Sequence, residues 1–219
     1  MTKTRLLLII ILLPLCTIGQ VKIGVQGGFS LSKTEMNTTF SDLKLNYILG
    51  PMAGVMAGIN LGESNFSLMQ EINYVFKGAK ISGTDNSQGI AVPVNGSHST
   101  RYIEFPLNIL YYLNAGNGHF FVGGGPYAAI GVGGKNKLTY QIAAAPEVED
   151  VSVEFGSDLN QLKKFDYGVQ GQFGYKLGYG SYVRAFYSHG LANLSNIEGN
   201  TYLNRYFGLS FGYFFGSGK

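Results

Sequence analysis

The final stretch of the chain, Thr201 to Phe215 (TYLNRYFGLSFGYFF), leaves few folds open. From Phe207 the bulky residues occupy every second position, Phe207, Leu209, Phe211, Tyr213 and Phe215, with Gly208, Ser210 and Gly212 between them. Side chains of a β-strand alternate between its faces, so this is a strand with one wholly apolar face and one that is small or polar up to Phe214. An aromatic ladder without polar relief needs an apolar solvent. In a transmembrane barrel that solvent is lipid, the small face lines the lumen, and a terminal strand closes the sheet against the first.

Composition supports this reading where it departs from that of soluble domains. Charged residues make up 13% of the 219-residue chain, against about 25% in ordinary soluble domains, while the hydrophobic content is 45%. The place of Lys and Glu is taken by 32 Gly, 15 Tyr and 15 Phe, and a disordered Gly-rich chain would not keep its aromatics in ordered alternation. At the N-terminus Lys3 and Arg5 precede an apolar run, Leu6 to Leu15, interrupted by Pro14, and Thr17 and Gly19 stand at cleavage spacing. Residues 1–19 are therefore expected to be a signal peptide cut between Gly19 and Gln20, leaving 20–219 as one outer-membrane β-barrel domain. Leu15 stands before Cys16 where a lipoprotein signal wants a small residue. The apolar run is shorter than the ~20 residues a spanning helix needs, and no later segment approaches that length. Loss of Lys3, Arg5 and Cys16 takes the net charge from +3 to +1 and leaves no cysteine. A nearly neutral mature chain has no electrostatic case for nucleic acid, and it has no disulfide framework.

From the start, Val21 to Leu31 places Val21, Ile23, Val25, Phe29 and Leu31 on one face and Lys22, Gly24, Gln26, Gly28 and Ser30 on the other. Ser32 to Asn46 is polar and reads as a long loop. Gly50 to Leu61 alternates again, with Ala53, Val55, Ala57, Ile59 and Leu61 opposite Met52, Gly54, Met56, Gly58 and Asn60, and Gly62 to Asn65 is a tight turn. Phe66 to Ala79 sets Leu68, Ile72, Tyr74 and Phe76 against Glu71, Asn73 and Lys77, with Gln70 out of place on the apolar face. Lys80 to Thr100 is a second long polar loop. Tyr102 to Leu113 puts Ile103, Phe105, Leu107, Ile109 and Tyr111 opposite Tyr102, Glu104, Pro106, Asn108 and Tyr112; Pro106 cannot donate to a ladder, so a bulge is expected there.

Asn114 to Gly118 is a short turn, and Phe120 to Val132 a strand whose facing Gly123, Gly124 and Gly125 obscure. Lys135 to Lys164, acidic at Glu147, Glu149, Asp150 and Glu154, is the longest excursion and leaves a hairpin and a short helix both open. Phe165 to Leu177 sets Phe165, Tyr167, Val169, Phe173, Tyr175 and Leu177 against Asp166, Gln170, Gln172 and Lys176. Gly178 to Ser181 turns tightly, Tyr182 to Ser188 is a strand, and 189–200 is a medium loop before the closing strand.

The expected fold is all-β: an eight-stranded antiparallel up-and-down transmembrane β-barrel, its strands matching the ~9–11 tilted residues that cross a bilayer. Connections alternate long and short, as extracellular loops and periplasmic turns do, which puts both termini in the periplasm of a cell outer membrane. Tyr74, Phe76, Phe165, Tyr167 and Tyr187 then fall near the outer rim, and Tyr111, Tyr175, Tyr213 and Phe215 near the inner one. Arg205 shares the lipid-facing phase but sits at the outer end of its strand.

Several short motifs carry a family resemblance: Lys77 to Lys80 (KGAK) after Tyr74, Tyr102 to Leu107 (YIEFPL), Gly123 to Tyr127 (GGGPY), Phe165 to Gly168 (FDYG), and the Gly190, Leu191, Asn193, Leu194 pattern. In order and spacing the chain resembles the PorT-like outer-membrane β-barrel family of Gram-negative bacteria across nearly its whole mature length. The resemblance implies an eight-stranded barrel and, through the family's namesake, a link to protein secretion. The chain departs from many outer-membrane barrels in carrying Gly216 to Lys219 after its last aromatic.

Eight strands enclose an interior that side chains can fill. The inward faces carry Lys22, Lys77, Lys176 and Arg184 against Glu71, Glu104 and Asp166, nearly balanced in sign, which predicts a polar plug of ion pairs rather than a diffusion pore. The expected protein is non-enzymatic, needs no cofactor or metal, and has outer-membrane lipid and other envelope or secretion proteins as partners. One alternative is a lipid-modifying hydrolase at the outer edge using His189 and a loop serine, Ser195, with Glu198 nearby. Ser188 and His189 are adjacent in an extended strand and point to opposite faces, so they do not form a nucleophile and base. A second alternative is a soluble exported ligand-binding barrel with its aromatics turned inward, whose outer surface would then be unusually poor in charge. Gly131 to Lys135 (GVGGK) lacks the first glycine of a phosphate loop, with Ala129 in its place and Asn136 where Ser or Thr is required. His98, His119 and His189 lack metal-ligand spacing.

Overall fold

In a computed structural model, which describes residues 21–37, 41–85, 91–142 and 145–215, the chain forms ten β-strands. They are β1 (Lys22–Asn37), β2 (Ser41–Asn46), β3 (Ile48–Asn60), β4 (Phe66–Asp85), β5 (Val92–Ala115), β6 (Gly118–Tyr140), β7 (Glu147–Ser152), β8 (Phe165–Leu177), β9 (Ser181–Gly190) and β10 (Thr201–Phe214). Eight of them close a ring in the order β1, β3, β4, β5, β6, β8, β9, β10, with every pair antiparallel. The ends of the chain's sheet meet because β10 pairs with β1 from Gly24↔Phe214 to Asn37↔Thr201. The expected signal peptide lies outside the described residues.

The wall is inverted relative to a water-soluble barrel. Phe29, Phe173 and Phe211 point outward with 55%, 66% and 58% of their surface exposed, while Gln26, Ser30, Asn73, Asn108, Gln172 and Ser210 are buried inside. Burying a polar side chain and exposing an aromatic both cost free energy in water, and both are favourable when the outer solvent is hydrocarbon. The reading with aromatics turned into a ligand cavity is therefore overturned. At the end with the short turns the outward rings pair as Phe66–Tyr111, Phe120–Tyr175 and Tyr213–Phe215, and at the other end as Tyr74–Phe76 and Tyr187–Phe207. Arg205 projects from the wall at that second end, where its Nη1 lies 2.6 Å from Glu35 Oε1 on the neighbouring strand.

The three connections at the first end are tight. Gly116 takes a φ of 59° in the two-residue loop between β5 and β6, the positive φ that the first position of a II′ hairpin requires. At the other end the segments expected to be long loops are largely strand. β4 and β5 stay paired out to Asp85↔Val92, β2 pairs with β4, and β7 pairs with β6, which selects the hairpin over the helix for that excursion. The outward face turns polar there, at Lys80, Ser97 and Lys137, and a search for apolar alternation stops at that point. Backbone pairing does not need an apolar face, so the ladder continues beyond the lipid.

Two irregularities differ from expectation. Pro106 causes no bulge; it faces Tyr127 in unbroken register with β6, and the register shift falls between Arg101 and Tyr102. Its missing N–H faces β4, where the ladder skips Glu71 and Ile72 without changing register. Gln70 explains itself here: its Nε2 donates to Glu71 O at 3.1 Å and to Pro106 O at 3.0 Å, supplying from the lipid-facing side the donor that proline lacks. Gln70→Leu is accordingly expected to destabilise the barrel by about 1–3 kcal/mol, although Leu suits lipid better, because two carbonyls lose their donor. Urea unfolding in vesicles checks this, and Pro106→Ala in the same background should restore most of the loss.

The facing of 120–132 is also settled. Phe121, Tyr127 and Ala129 are buried inward, while Phe120, Val122 and Val132 point out.

Candidate functional site

The inward face of β4 supplies Glu71 and Lys77, and strand alternation keeps both, with Asn73 and Val75, on the lumen side. Arg184 of β9 stands diametrically across the ring from β4. Its Nη2 lies 2.5 Å and its Nη1 2.7 Å from the two oxygens of Glu71, a bidentate pair fully removed from solvent. Gln172 Oε1, Gln26 Oε1 and Ser210 Oγ accept the remaining guanidinium donors at 2.5, 2.9 and 2.9 Å. Glu71 accepts further from Gln26, Asn73 and Asn108.

A second polar level lies nearer the end with the extended strands. Lys77 Nζ sits 2.7 Å from Glu104 Oε2 and 3.0 Å from Asp166 Oδ2, beneath the faces of Tyr102, Tyr127 and Tyr206 at 4.8–5.1 Å. The cation is held by two carboxylates and three ring faces, which together replace its hydration. Tyr206 of β10 donates to Glu104 Oε1 of β5 at 2.5 Å, and these two strands are again opposite members of the ring. Between the two levels Met52, Val75, Phe186 and Tyr206 pack together.

A third cross-link spans the same two strands beyond the apolar belt. His98 Nε2 lies 2.5 Å from the Tyr202 hydroxyl, and its Nδ1 contacts Asn136 Oδ1. A neutral ring satisfies both, with Nδ1–H donating and Nε2 accepting. Burial holds the His98 pKa below the ordinary histidine value, partly opposed by the Asn136 contact. The unfolded chain therefore takes up this proton more readily, and stability fully present above about pH 6.5 should be lost as pH falls from there through the lowered pKa of the folded state. His98→Gln should flatten the pH dependence of the unfolding midpoint relative to the parent, with His119 and His189 retained in both proteins.

Above this level the segments 153–164 and 191–200 fold over the barrel mouth. Leu194 and Ala192 are buried against Tyr102, Tyr127 and Tyr202, with Phe155 and Leu162 packed on them. Asn196 Nδ2 ties the two segments together by donating to the carbonyls of Gly156, Asp158 and Gln161 at 2.9–3.0 Å. A cavity of about 500 Å³ remains between them, bordered by His98, Asn136, Gln161, Ser195 and Tyr202.

Five of the seven residues expected in the lumen network, Glu71, Lys77, Glu104, Asp166 and Arg184, are thus brought into two buried clusters. Lys22 and Lys176 are not. They lie at the short-turn mouth, on the lining of a separate cavity, because their strands place them one layer of apolar side chains (Met56, Met69, Leu110, Phe121, Tyr182, Phe214) away from Arg184. The proposed hydrolase residues are also apart: His189 borders Tyr187 on the outer wall, and the Ser195 hydroxyl is engaged within its own turn with Ile197. Ser188 is buried inside, on the face opposite His189. Gln26, Asn108, Tyr206 and Ser210 escaped the sequence reading as site residues; their inward parity was visible, but their contacts depend on which strands face one another across the ring.

A closed antiparallel ring with an apolar outer belt and a polar, ion-paired interior defines a transmembrane β-barrel. The chain belongs to the outer membrane protein beta-barrel domain family, whose profile matches residues 16–196, and it is accordingly an outer-membrane β-barrel protein. Among solved structures it is similar in fold to OprG from Pseudomonas aeruginosa (11% identity, 90% of this chain and 97% of that one, TM-score 0.48). It is also similar to the Neisserial surface protein A (11% identity, 88% and 97%, TM-score 0.39) and to the outer membrane protease OmpT from Escherichia coli (12% identity, 89% and 97%, TM-score 0.40). A search of curated proteins returns no match.

Proposed function

We propose that this protein is a non-enzymatic barrel of the PorT-like kind, its lumen closed by its own side chains, that serves a secretion or envelope assembly as an accessory or structural component. The observation that carries the reading is the bracing of opposite walls at three levels, Arg184 to Glu71, Tyr206 to Glu104 and His98 to Tyr202. A pore would leave these charges hydrated along a water column, whereas here they neutralise one another. The capped mouth built from 153–164 and 191–200 is the surface left for envelope or secretion partners, with outer-membrane lipid around the wall and no role for nucleic acid. Both termini and the three short turns face the periplasm in this reading, since the long connections of such barrels lie outside. Residues 1–19 are removed on export.

Planar-bilayer recording tests the closed lumen. Purified protein should give no steady conductance, and a large steady open state overturns the reading. For the assembly role, a variant with 153–164 and 191–200 replaced by Gly-Ser linkers should insert normally yet fail to restore secretion to a deletion strain. Full restoration by that variant removes the loops from the function.

A further inference from the structure

Among the described residues, the mouth at the short-turn end gathers cations and no carboxylate. Lys22 from the start of β1, Lys176 from the end of β8 and His119 from the start of β6 line one cavity of about 300 Å³, together with Asn60, Asn65 and Asn114. Among the described residues no Asp or Glu belongs to that lining, and the nearby Glu63 in the turn between β3 and β4 is exposed outside it. Among the described residues neither lysine forms an ion pair. The Lys176 ammonium rests instead over the rings of Phe214 at 5.0 Å and Tyr112 at 5.7 Å, with His119 edge-on to Tyr112 at 6.3 Å. His119 and Lys176 face each other directly across β6 and β8.

This contrasts with the rest of the interior. Arg184 and Lys77, deeper in the barrel, each meet a carboxylate within 3.0 Å, whereas two like charges at the mouth converge on a common space with amide side chains around it. Concave, low-dielectric walls focus such a field outward and concentrate counter-ions in the opening. The lining faces the lumen and not the lipid, so an anion must arrive from the water at that end. Ammonium and amide N–H groups together match the oxygens of a carboxylate or phosphate, and two lysines favour a group carrying more than one negative charge.

We propose that this mouth is a binding site for a soluble multivalent oxyanion, with Lys22 and Lys176 as its charged contacts and His119 and the asparagines as its rim. The site is independent of whether the lumen above it conducts.

The test is a titration of the full-length mature barrel in dodecyl maltoside, which brings no charge of its own, with pyrophosphate as probe at low ionic strength. Isothermal calorimetry should show one saturable site, and the His119 imidazole resonances should move with occupancy. Lys22→Gln and Lys176→Gln should each weaken binding by about tenfold, the order of one charge-assisted hydrogen bond, and the pair together should abolish it. Lys137→Gln, on the outer wall at the opposite end, should change nothing. Heat-modifiable gel mobility confirms that each variant is folded. Equal binding by the double variant, or no saturation by the parent, overturns the site. Competition by phosphatidylglycerol doped into the micelle overturns the soluble source and assigns the lysines to lipid headgroups.

Discussion

Arg184→Met is expected to cost about 3–5 kcal/mol of folding stability, the largest loss from any single substitution in the wall or lumen. The effect comes from what remains. Glu71, with no exposed side-chain surface, keeps its charge or takes a proton, and in either case loses the two guanidinium contacts at 2.5 and 2.7 Å. Gln26, Gln172 and Ser210 lose a shared donor at the same time. If the cost lies in the stranded charge rather than in the loss of an intrinsically favourable pair, Glu71→Gln added to Arg184→Met should recover most of it. The amide introduced at position 71 by that double change still offers an oxygen to Asn73 and Asn108. Urea unfolding in vesicles, followed by the gel-mobility shift of the folded barrel, gives the stabilities of the parent and of both variants. A loss below about 1 kcal/mol for the single variant would mean that water reaches Glu71 and that the brace does not close the lumen.

The second large effect belongs to the outside of the wall. Leu209 lies halfway along β10 between the ring of Tyr213 and the paired charge of Arg205, and it points outward. Leu209→Arg should destabilise the barrel in a bilayer by about 2–4 kcal/mol, whereas Leu203→Arg, beyond Arg205, should cost only about 0–1 kcal/mol. That gradient is a property of lipid. On a water-facing surface an exposed Leu→Arg change is close to neutral at either position, so the difference between the two variants separates the environments.

Much of the barrel was legible because two solvents impose opposite demands on alternate residues. Phe207 to Phe215 revealed its own facing and that of its neighbours, and Glu71, Lys77, Glu104, Asp166 and Arg184 could be placed inside by parity alone. Parity says nothing about height along the axis. Lys22 and Lys176 share the inward phase of Arg184, yet they sit at the mouth with an apolar layer intervening. Nor does it say which strands stand opposite, so the braces from Glu71 to Arg184 and from Glu104 to Tyr206 required the closed ring. The signal also fades where lipid ends. Beyond Arg101 the outward face of β5 turns to Ser99 and Ser97, and a paired strand in water looks like a loop to a search for hydrophobic alternation. Gln70 is the instructive exception: a polar residue in the lipid phase whose reason lay 36 residues away, at Pro106.

The most direct measurement places a nitroxide on single cysteines at Leu209 and Phe173, which point outward, and at Ser210, which points in, and compares collisions with oxygen and with a water-soluble nickel chelate. Cys16 is the only native cysteine and falls within the expected leader. In liposomes the labels at 209 and 173 should meet oxygen freely and be shielded from nickel, while the label at 210 meets neither. Nickel access at 209 and 173 equal to that of an exposed loop would contradict a lipid-facing apolar wall.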